Sequence, residues 1–396
     1  MEFNKYLLKD LAEYKNERIE TNQLTTINYI STENLLPNKQ GKQLANNLPS
    51  SKTVKKYTVS DILISNIRPY FKKIWQADSL GGHSNDVLNI TSINEKISND
   101  YLYYYLSQDK FFQYMTQTSK GTKMPRGDKE AIMEYEIKVP KNIVHQNFIS
   151  SLGKSLDNKI EVNKKIIANL EELSQILFKR WFIDFEFPNE EGVPYKSSGG
   201  EMIDSEIGEI PKGWEISKLD KIINIKSGKR PRNKVNIMDN KNKTPIIGAS
   251  KIMGYTSDYL ESEPILVMGR VGTHGVIQRF NNNVWPSDNT FIIKSKFMIY
   301  SYFILINIDY KSLNRGSTQP LLSQKDIKNI NIIIPKSDSL IVKYEEITNI
   351  YFKEIDVIKD QISYLIELRD TLLPKLMSGE LEIPDDIEVN IDEFSI

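Results

Sequence analysis

Apolar residues recur every seven positions in two stretches of this chain, and elsewhere the pattern shortens to brief apolar runs bounded by Gly, Pro, Asn and Ser. Leu156, Asn163, Leu170 and Leu177 form one heptad row, and Tyr351, Ile358, Leu365 and Leu372 form the other. Such spacing predicts two long amphipathic helices with a coiled-coil seam. At about 40 residues each, they would run to about 60 Å at 1.5 Å per residue. Neither stripe can be hidden by one helix alone, so the two are expected to pack on each other. Asn163 is the polar member of its row and stands opposite Ile358 in the repeat. A buried polar residue there can fix register at some cost in stability; a place at the wet end of the bundle is the favoured reading.

The two helices belong to a longer repeat. A shift of 195 carries Ile160, Val162, Ile167, Leu170, Glu172, Leu173 and Leu177 onto Ile355, Val357, Ile362, Leu365, Glu367, Leu368 and Leu372 without a gap. The same shift carries Gly121, Pro125, Ile132, Ile137, Val139 and Pro140 onto Gly316, Pro320, Ile327, Ile332, Ile334 and Pro335. A Gly/Ser/Thr-rich loop, a helical turn and a strand ending in Pro-Lys therefore precede each long helix. Farther upstream the best shift grows to 203 and then 208, which places the differences in loops of the first two thirds of each copy. The expected organisation is an α/β (α+β) domain over 1–140, a long helix over 141–186, an extended linker over 187–213, a second domain over 214–335, a second long helix over 336–379 and an acidic tail over 380–396.

Local patterns add detail. Asp61-Ile62-Leu63-Ile64-Ser65 predicts a strand, and 99–115 predicts one helix whose Tyr101, Tyr103, Tyr104 and Tyr105 belong to a core, with base stacking the less favoured use. The aromatic strip Trp181-Phe182-Ile183-Asp184-Phe185 either docks a partner or caps the end of the coiled coil. Pro374 and Gly379 are expected to stop the second helix.

Composition narrows the chemistry. The chain has no cysteine and three histidines (His83, His145, His274), so a metal site is not expected. It has no run of 18 apolar residues and no apolar signal-like opening, so a cytoplasmic protein that does not enter a membrane is expected. Net charge is zero but uneven: residues 380–396 hold seven acids and no base, whereas 224–243 hold seven bases and one acid. That basic run is either a solvated loop or part of a nucleic-acid surface. Catalytic motifs are missing, with no G-x-x-x-x-G-K-[ST] loop and no G-x-S-x-G elbow. Residues 268–275 suggest a phosphate cradle, but Val276-Ile277-Gln278-Arg279-Phe280 after them is strand-like, so a hairpin turn is expected. Glu136-Ile137-Lys138 loses both charges in its repeat partner Asn331-Ile332-Ile333, which favours a structural strand over a nuclease core.

The chain as a whole resembles the DNA-specificity subunits of type I restriction-modification systems over about residues 1–383. The resemblance rests on the order variable region, helix, variable region, helix. It rests also on Leu177-Phe178-Lys179-Arg180-Trp181-Phe182, on Ile207-Gly208-Glu209-Ile210-Pro211-Lys212-Gly213-Trp214, on Gly316-Ser317-Thr318-Gln319-Pro320, and on the closing segment 372–381. It implies two similar target-recognition domains separated by two long antiparallel helices forming a coiled coil, each domain reading half of a split site in double-stranded DNA. It further implies methyltransferase (modification) subunits and a restriction/translocase subunit as partners. S-adenosylmethionine would be bound by the partner methyltransferase, and this chain would hold no cofactor and no catalytic residue. The absence of an Asn/Asp-Pro-Pro-Tyr/Phe motif fits that division of labour. The alternative is a coiled-coil scaffold whose domains bind proteins.

Arg, Asn and Gln side chains read base edges in pairs of hydrogen bonds, while Lys and hydroxyl groups hold phosphates. On that chemistry, and on matched loop positions in the two copies, the candidates in the first domain are Asn66, Arg68, Lys72, Lys73, His83, Ser84, Asn85, Lys120, Thr122, Lys123 and Arg126. In the second they are Arg230, Arg232, Arg270, Thr273, His274, Ser287, Asp288, Asn289, Arg315, Ser317, Thr318 and Gln319.

Overall fold

The computed structural model describes residues 1–270, 275–310 and 322–384. They form two compact units, one made of 1–164 with the chain from 359 onward, the other of 165–358. The fold is of the mixed α/β (α+β) class, with two similar domains and two long helices.

In the first unit, Phe3–Leu7 pairs antiparallel with Glu136–Pro140, Phe3 opposite Pro140, and so brings the two ends of the domain together. Inside that closure lies a four-stranded antiparallel sheet in the order Ala12–Tyr14, Val87–Ser92, Ile62–Ser65, Ile74–Gln76. Ile62–Ser65 is buried at every position, as an unbroken apolar run requires when both faces of a strand are covered. A second sheet joins Arg18–Glu20, Thr53–Tyr57, Gly81–His83 and Tyr29–Ile30, the last pair parallel.

The second unit repeats the plan. Trp214–Lys218 pairs with Asn331–Pro335, and the main sheet runs Ile223–Ser227, Thr290–Ser295, Ile265–Gly269, Ile277–Phe280. Its smaller sheet has three strands, Ile252–Thr256, Thr244–Ile247 and Trp285–Pro286, again with one parallel pair. Ile265–Gly269 pairs antiparallel with Ile277–Phe280; of the turn expected at 268–275, residues 271–274 lie outside the described residues.

The first long helix is Ile143–Phe178, continued by a π-helical turn at Lys179–Ile183, and the second is Ser339–Ser378. Within the first unit their facing segments run antiparallel: Asp157 meets Arg369 and Asn163 meets Gln361. Within the second unit the Tyr344 hydroxyl donates to the Ser174 carbonyl at 3.0 Å. Leu156, Asn163 and Ile358 are buried, and Leu170, Leu177, Tyr351, Leu365 and Leu372 are half-buried. A second row completes the seam, with Ile160 and Ser174 on one helix and Thr348 and Ile355 on the other buried, and Ile167 half-buried.

Several expectations are corrected. Asn163 is 2 % exposed and donates to Gln361 at 3.4 Å, so it is an interior polar residue and not a wet end. The helix expected over 99–115 is two helices, Asn99–Leu106 and Asp109–Gln117, because the chain turns at Ser107 and Gln108 becomes the extended N-cap of the second. Pro374 lies inside the second long helix; the stop is Gly379, whose φ of 81° suits glycine. Segment 187–213 is not extended: Phe187 stacks on Tyr195 and Trp214 at 4.6 and 5.4 Å, and Met202–Ile203 pairs with Ile210–Pro211. The strip after the first helix is core, with Trp181, Phe182 and Phe185 buried. Tyr101, Tyr104 and Tyr105 are buried, as expected of a core helix. Of the acidic tail, residues 385–396 lie outside the described residues.

Candidate nucleic-acid interface

In the first unit three loops meet where strand Ile62–Ser65 ends and strand Val87–Ser92 begins. The antiparallel ladder continues one step past both strands: the Asn66 N–H donates to the Asp86 carbonyl at 2.8 Å. The Asn66 carbonyl then accepts from Gly127 N–H at 3.0 Å, and Arg68 N–H donates to the Pro125 carbonyl at 2.8 Å. Loops 66–73, 83–86 and 120–127 are thereby held side by side through backbone bonds, which leaves most of their side chains free to differ.

The second unit uses the same staple. Arg270 N–H donates to the Asn289 carbonyl at 2.9 Å, and the Arg270 carbonyl accepts from Leu322 N–H at 3.1 Å. A further set of bonds seats the start of the basic run beside loop 285–290. Gly228 N–H donates to the Thr290 carbonyl at 2.9 Å, Lys229 N–H to the Pro286 carbonyl at 3.0 Å, and the Trp285 indole to the Lys229 carbonyl at 2.7 Å. Gly228 is required here, since a Cβ would come within 2.2 Å of the Ser287 carbonyl oxygen.

These staples bring together much of the set expected from sequence. Arg68, Asn85, Lys120, Thr122, Lys123 and Arg126 are exposed on the three loops of the first unit. Arg126 lies 3.2 Å from Asp86 and Lys120 lies 2.5 Å from Asp128, both contacts open to solvent. In the second unit Arg230, Arg232, Asp288 and Asn289 are exposed and Arg270 is half-buried. Arg230 and Arg232 share a shallow concavity with Tyr259 and Trp285. Thr273, His274, Arg315, Ser317, Thr318 and Gln319 lie outside the described residues.

Six candidates are less free than the sequence suggests. Asn66, His83 and Ser287 are 7, 1 and 2 % exposed, so their side chains face the interior and cannot reach a base edge in this conformation. His83 donates Nδ1–H to the Ser84 carbonyl at 2.9 Å, and burial pushes its imidazole pKa down to about 4, so it is neutral near pH 7. Lys72 and Lys73 are half-buried and engaged within the chain, the first by the exposed Asp109 at 2.7 Å and the second by the Thr32 carbonyl at 2.5 Å. Ser84 is half-buried with its hydroxyl turned inward. In the basic run, Lys226 is likewise engaged: it and Lys294 approach buried Glu261 at 2.5 and 3.0 Å. Burial raises the Glu261 pKa, but the two ammonium groups more than offset it and hold the carboxyl below its usual range.

Sequence reasoning did not count Tyr70, Phe71, Met124 and Tyr259 as site residues, yet all four are large and exposed in these loops at 40 to 56 %. The signal was the mixing of bases with aromatics in 67–73. What the clusters offer is guanidinium and amide groups for base edges and ammonium and hydroxyl groups for phosphate. Among the described residues, no group of three or more His, Asp or Glu could hold a metal ion, and no helix is long and apolar enough to cross a membrane.

The sequence matches the type I restriction modification DNA specificity domain over residues 1–172 and 211–363. The chain belongs to that family. Specificity subunits of this family are generally non-catalytic. Among curated relatives, the type I restriction enzyme MjaIX specificity subunit of Methanocaldococcus jannaschii is 29 % identical over 317 residues, covering 73 % of this chain and 70 % of its own. The HindI specificity subunit of Haemophilus influenzae is 22 % identical, covering 96 % of this chain and 100 % of its own. The crystal structure of the type I restriction-modification S subunit from M. genitalium matches with a TM-score of 0.56 over 97 % of both chains at 17 % identity, which shows a shared fold.

Proposed function

We propose that this specificity-family chain reads an asymmetric, bipartite site in double-stranded DNA, one half through loops 66–73, 83–86 and 120–127 and the other through the loops around Arg230, Arg270 and Asn289. The observation that carries this reading is the repeated backbone staple, which gathers basic and amide side chains at the same place on two similar domains while letting the residues differ. Unlike loops on like scaffolds suit two different half-sites. The two continuous helices, 36 and 40 residues long, set the length of the unread spacer between the halves.

The chain itself methylates and cuts nothing. Its partners are methyltransferase subunits that bring S-adenosylmethionine and act on adenine, and a restriction/translocase subunit, in the cytoplasm. A docking face for the methyltransferase is available in the second unit, where Ile166, Leu173 and Ile176 on one helix and Ile350 and Val357 on the other stay 38 to 68 % exposed. Each immediately precedes a seam residue, so the row runs alongside the coiled coil as a second apolar stripe.

The test is to co-express the chain with its methyltransferase subunit in a methylation-free bacterium and map modified adenines. A split motif whose halves change independently when 1–140 or 214–335 is exchanged supports the reading. A soluble, assembled complex that neither modifies nor binds any duplex sinks it in favour of a protein-binding scaffold.

A further inference from the structure

Loop 66–73 carries a feature that base and phosphate contacts leave unexplained. A single 3-10 turn, Pro69–Phe71, is bracketed by two non-glycine residues in the left-handed region, Arg68 (φ 51°, ψ 65°) and Lys72 (φ 51°, ψ 48°). That region is disfavoured for L side chains and persists only where the surroundings over-determine it. Here they do. Arg68 is bonded to Pro125, Asn38 N–H donates to the Phe71 carbonyl at 2.8 Å, Lys39 N–H donates to the Lys72 carbonyl at 2.9 Å, and the Lys72 ammonium lies on Asp109.

What this clamped turn presents outward is apolar. Tyr70 and Phe71 are 49 and 40 % exposed, their rings 4.8 Å apart and tilted by 55°. Beside them stands the exposed Arg68, and the neighbouring loop adds the exposed Lys123; neither forms an ion pair among the described residues. A rigid aromatic pair flanked by free cations matches a ligand that offers a flat π face next to phosphate, and every nucleobase does so.

We propose that Tyr70 and Phe71 are a stacking wedge, against which the first recognition region unstacks one base step of its half-site. This rests on the DNA reading above. The matched segment of the second copy, Arg270-Val271-Gly272-Thr273-His274, has no Tyr, Phe or Trp, so this wedge has no counterpart at the same place in the second copy.

The experiment uses the full chain assembled with its methyltransferase. A randomised-duplex selection finds the site, and 2-aminopurine is then placed at successive positions through both halves. The expected result is a fluorescence rise at one step of the half read by 1–140, lost in the Tyr70→Ala, Phe71→Ala pair together with on the order of tenfold in affinity, and kept in Tyr70→Phe. A rise that survives in the alanine pair belongs to the partner and overturns the wedge, as does an affinity that does not change. Release of the methyltransferase by the alanine pair, with fluorescence intact, shows that the rings face a protein and overturns it too. Should the wild-type complex select no duplex at all, the DNA reading fails and the wedge with it.

Discussion

Gly153 sits buried in the first long helix, where alanine would normally be the better residue. Replacing a helical glycine by alanine is worth about 1 kcal/mol in backbone entropy. At this position the added Cβ would lie 2.5 Å from Tyr104 Cζ and 2.7 Å from both Cε atoms, against the face of the ring. The ring cannot swing away freely, because its hydroxyl donates to the Asp157 carboxylate at 2.9 Å. Overpacking of this kind costs about 1–3 kcal/mol, and losing a hydrogen bond to a charged acceptor costs about 1.5–3 kcal/mol. Gly153→Ala should therefore destabilise the first unit by about 2 kcal/mol net. In a Tyr104→Ala background the obstacle is gone, and the same substitution should stabilise by about 1 kcal/mol, a coupling of about 3 kcal/mol between touching residues. Urea denaturation of the four proteins of the cycle, with amide exchange at 150–157 as the local probe, measures it. If Gly153→Ala stabilises the otherwise unaltered protein, the ring has room and the reasoning is wrong.

Arg369 lies between Asp157 at 2.6 Å and Asp370 at 2.9 Å with its side chain only 12 % exposed, and Arg369→Ala should cost about 2–3 kcal/mol by urea denaturation, since it strands half-buried carboxylates. His83, with a pKa lowered from 6.5 to about 4, refuses a proton that the unfolded chain accepts. Stability of the first unit should hold above pH 6.5 and fall as pH drops from 6.5 to 4, by about 3 kcal/mol at roughly 1.4 kcal/mol per unit, and His83→Phe should flatten that part of the pH profile. Ile350→Asp with Val357→Asp should leave the melting temperature nearly unchanged, because both positions are more than half exposed, yet abolish co-purification of the methyltransferase; retention of the partner would remove that stripe from the proposed interface.

The long helices and the closing strands were legible because their signals are local. A heptad row is a property of residues seven apart, so Leu156 through Leu177 and Tyr351 through Leu372 needed no knowledge of the rest of the chain. Val139-Pro140 and Ile334-Pro335 likewise announced matched strands through the repeat itself. Gly379 was visible as a helix stop, whereas Pro374 deceived, because a proline is tolerated where the surrounding packing holds the helix together. Loop membership of the candidate DNA contacts was also written in the chain, since Gly, Ser, Thr and Asn mark turns wherever they cluster.

Orientation was not. Asn66 has the same chemistry as Asn85 and Asn289, and His83 and Ser287 are polar like them, yet only the packing of distant strands turns Asn66, His83 and Ser287 inward and leaves Asn85 and Asn289 outward. Lys72 and Lys73 look as free in sequence as Lys123, until Asp109 and the Thr32 carbonyl, remote in the chain, come to lie against them. The burial of Asn163 required its meeting with Gln361, and the strain at Arg68 and Lys72 required the backbone partners at Asn38, Lys39 and Pro125. Periodicity along the chain determined which elements form and that they come in pairs. Which side chains remain free to meet a ligand was decided by contacts between residues far apart in sequence, and no local pattern encodes those.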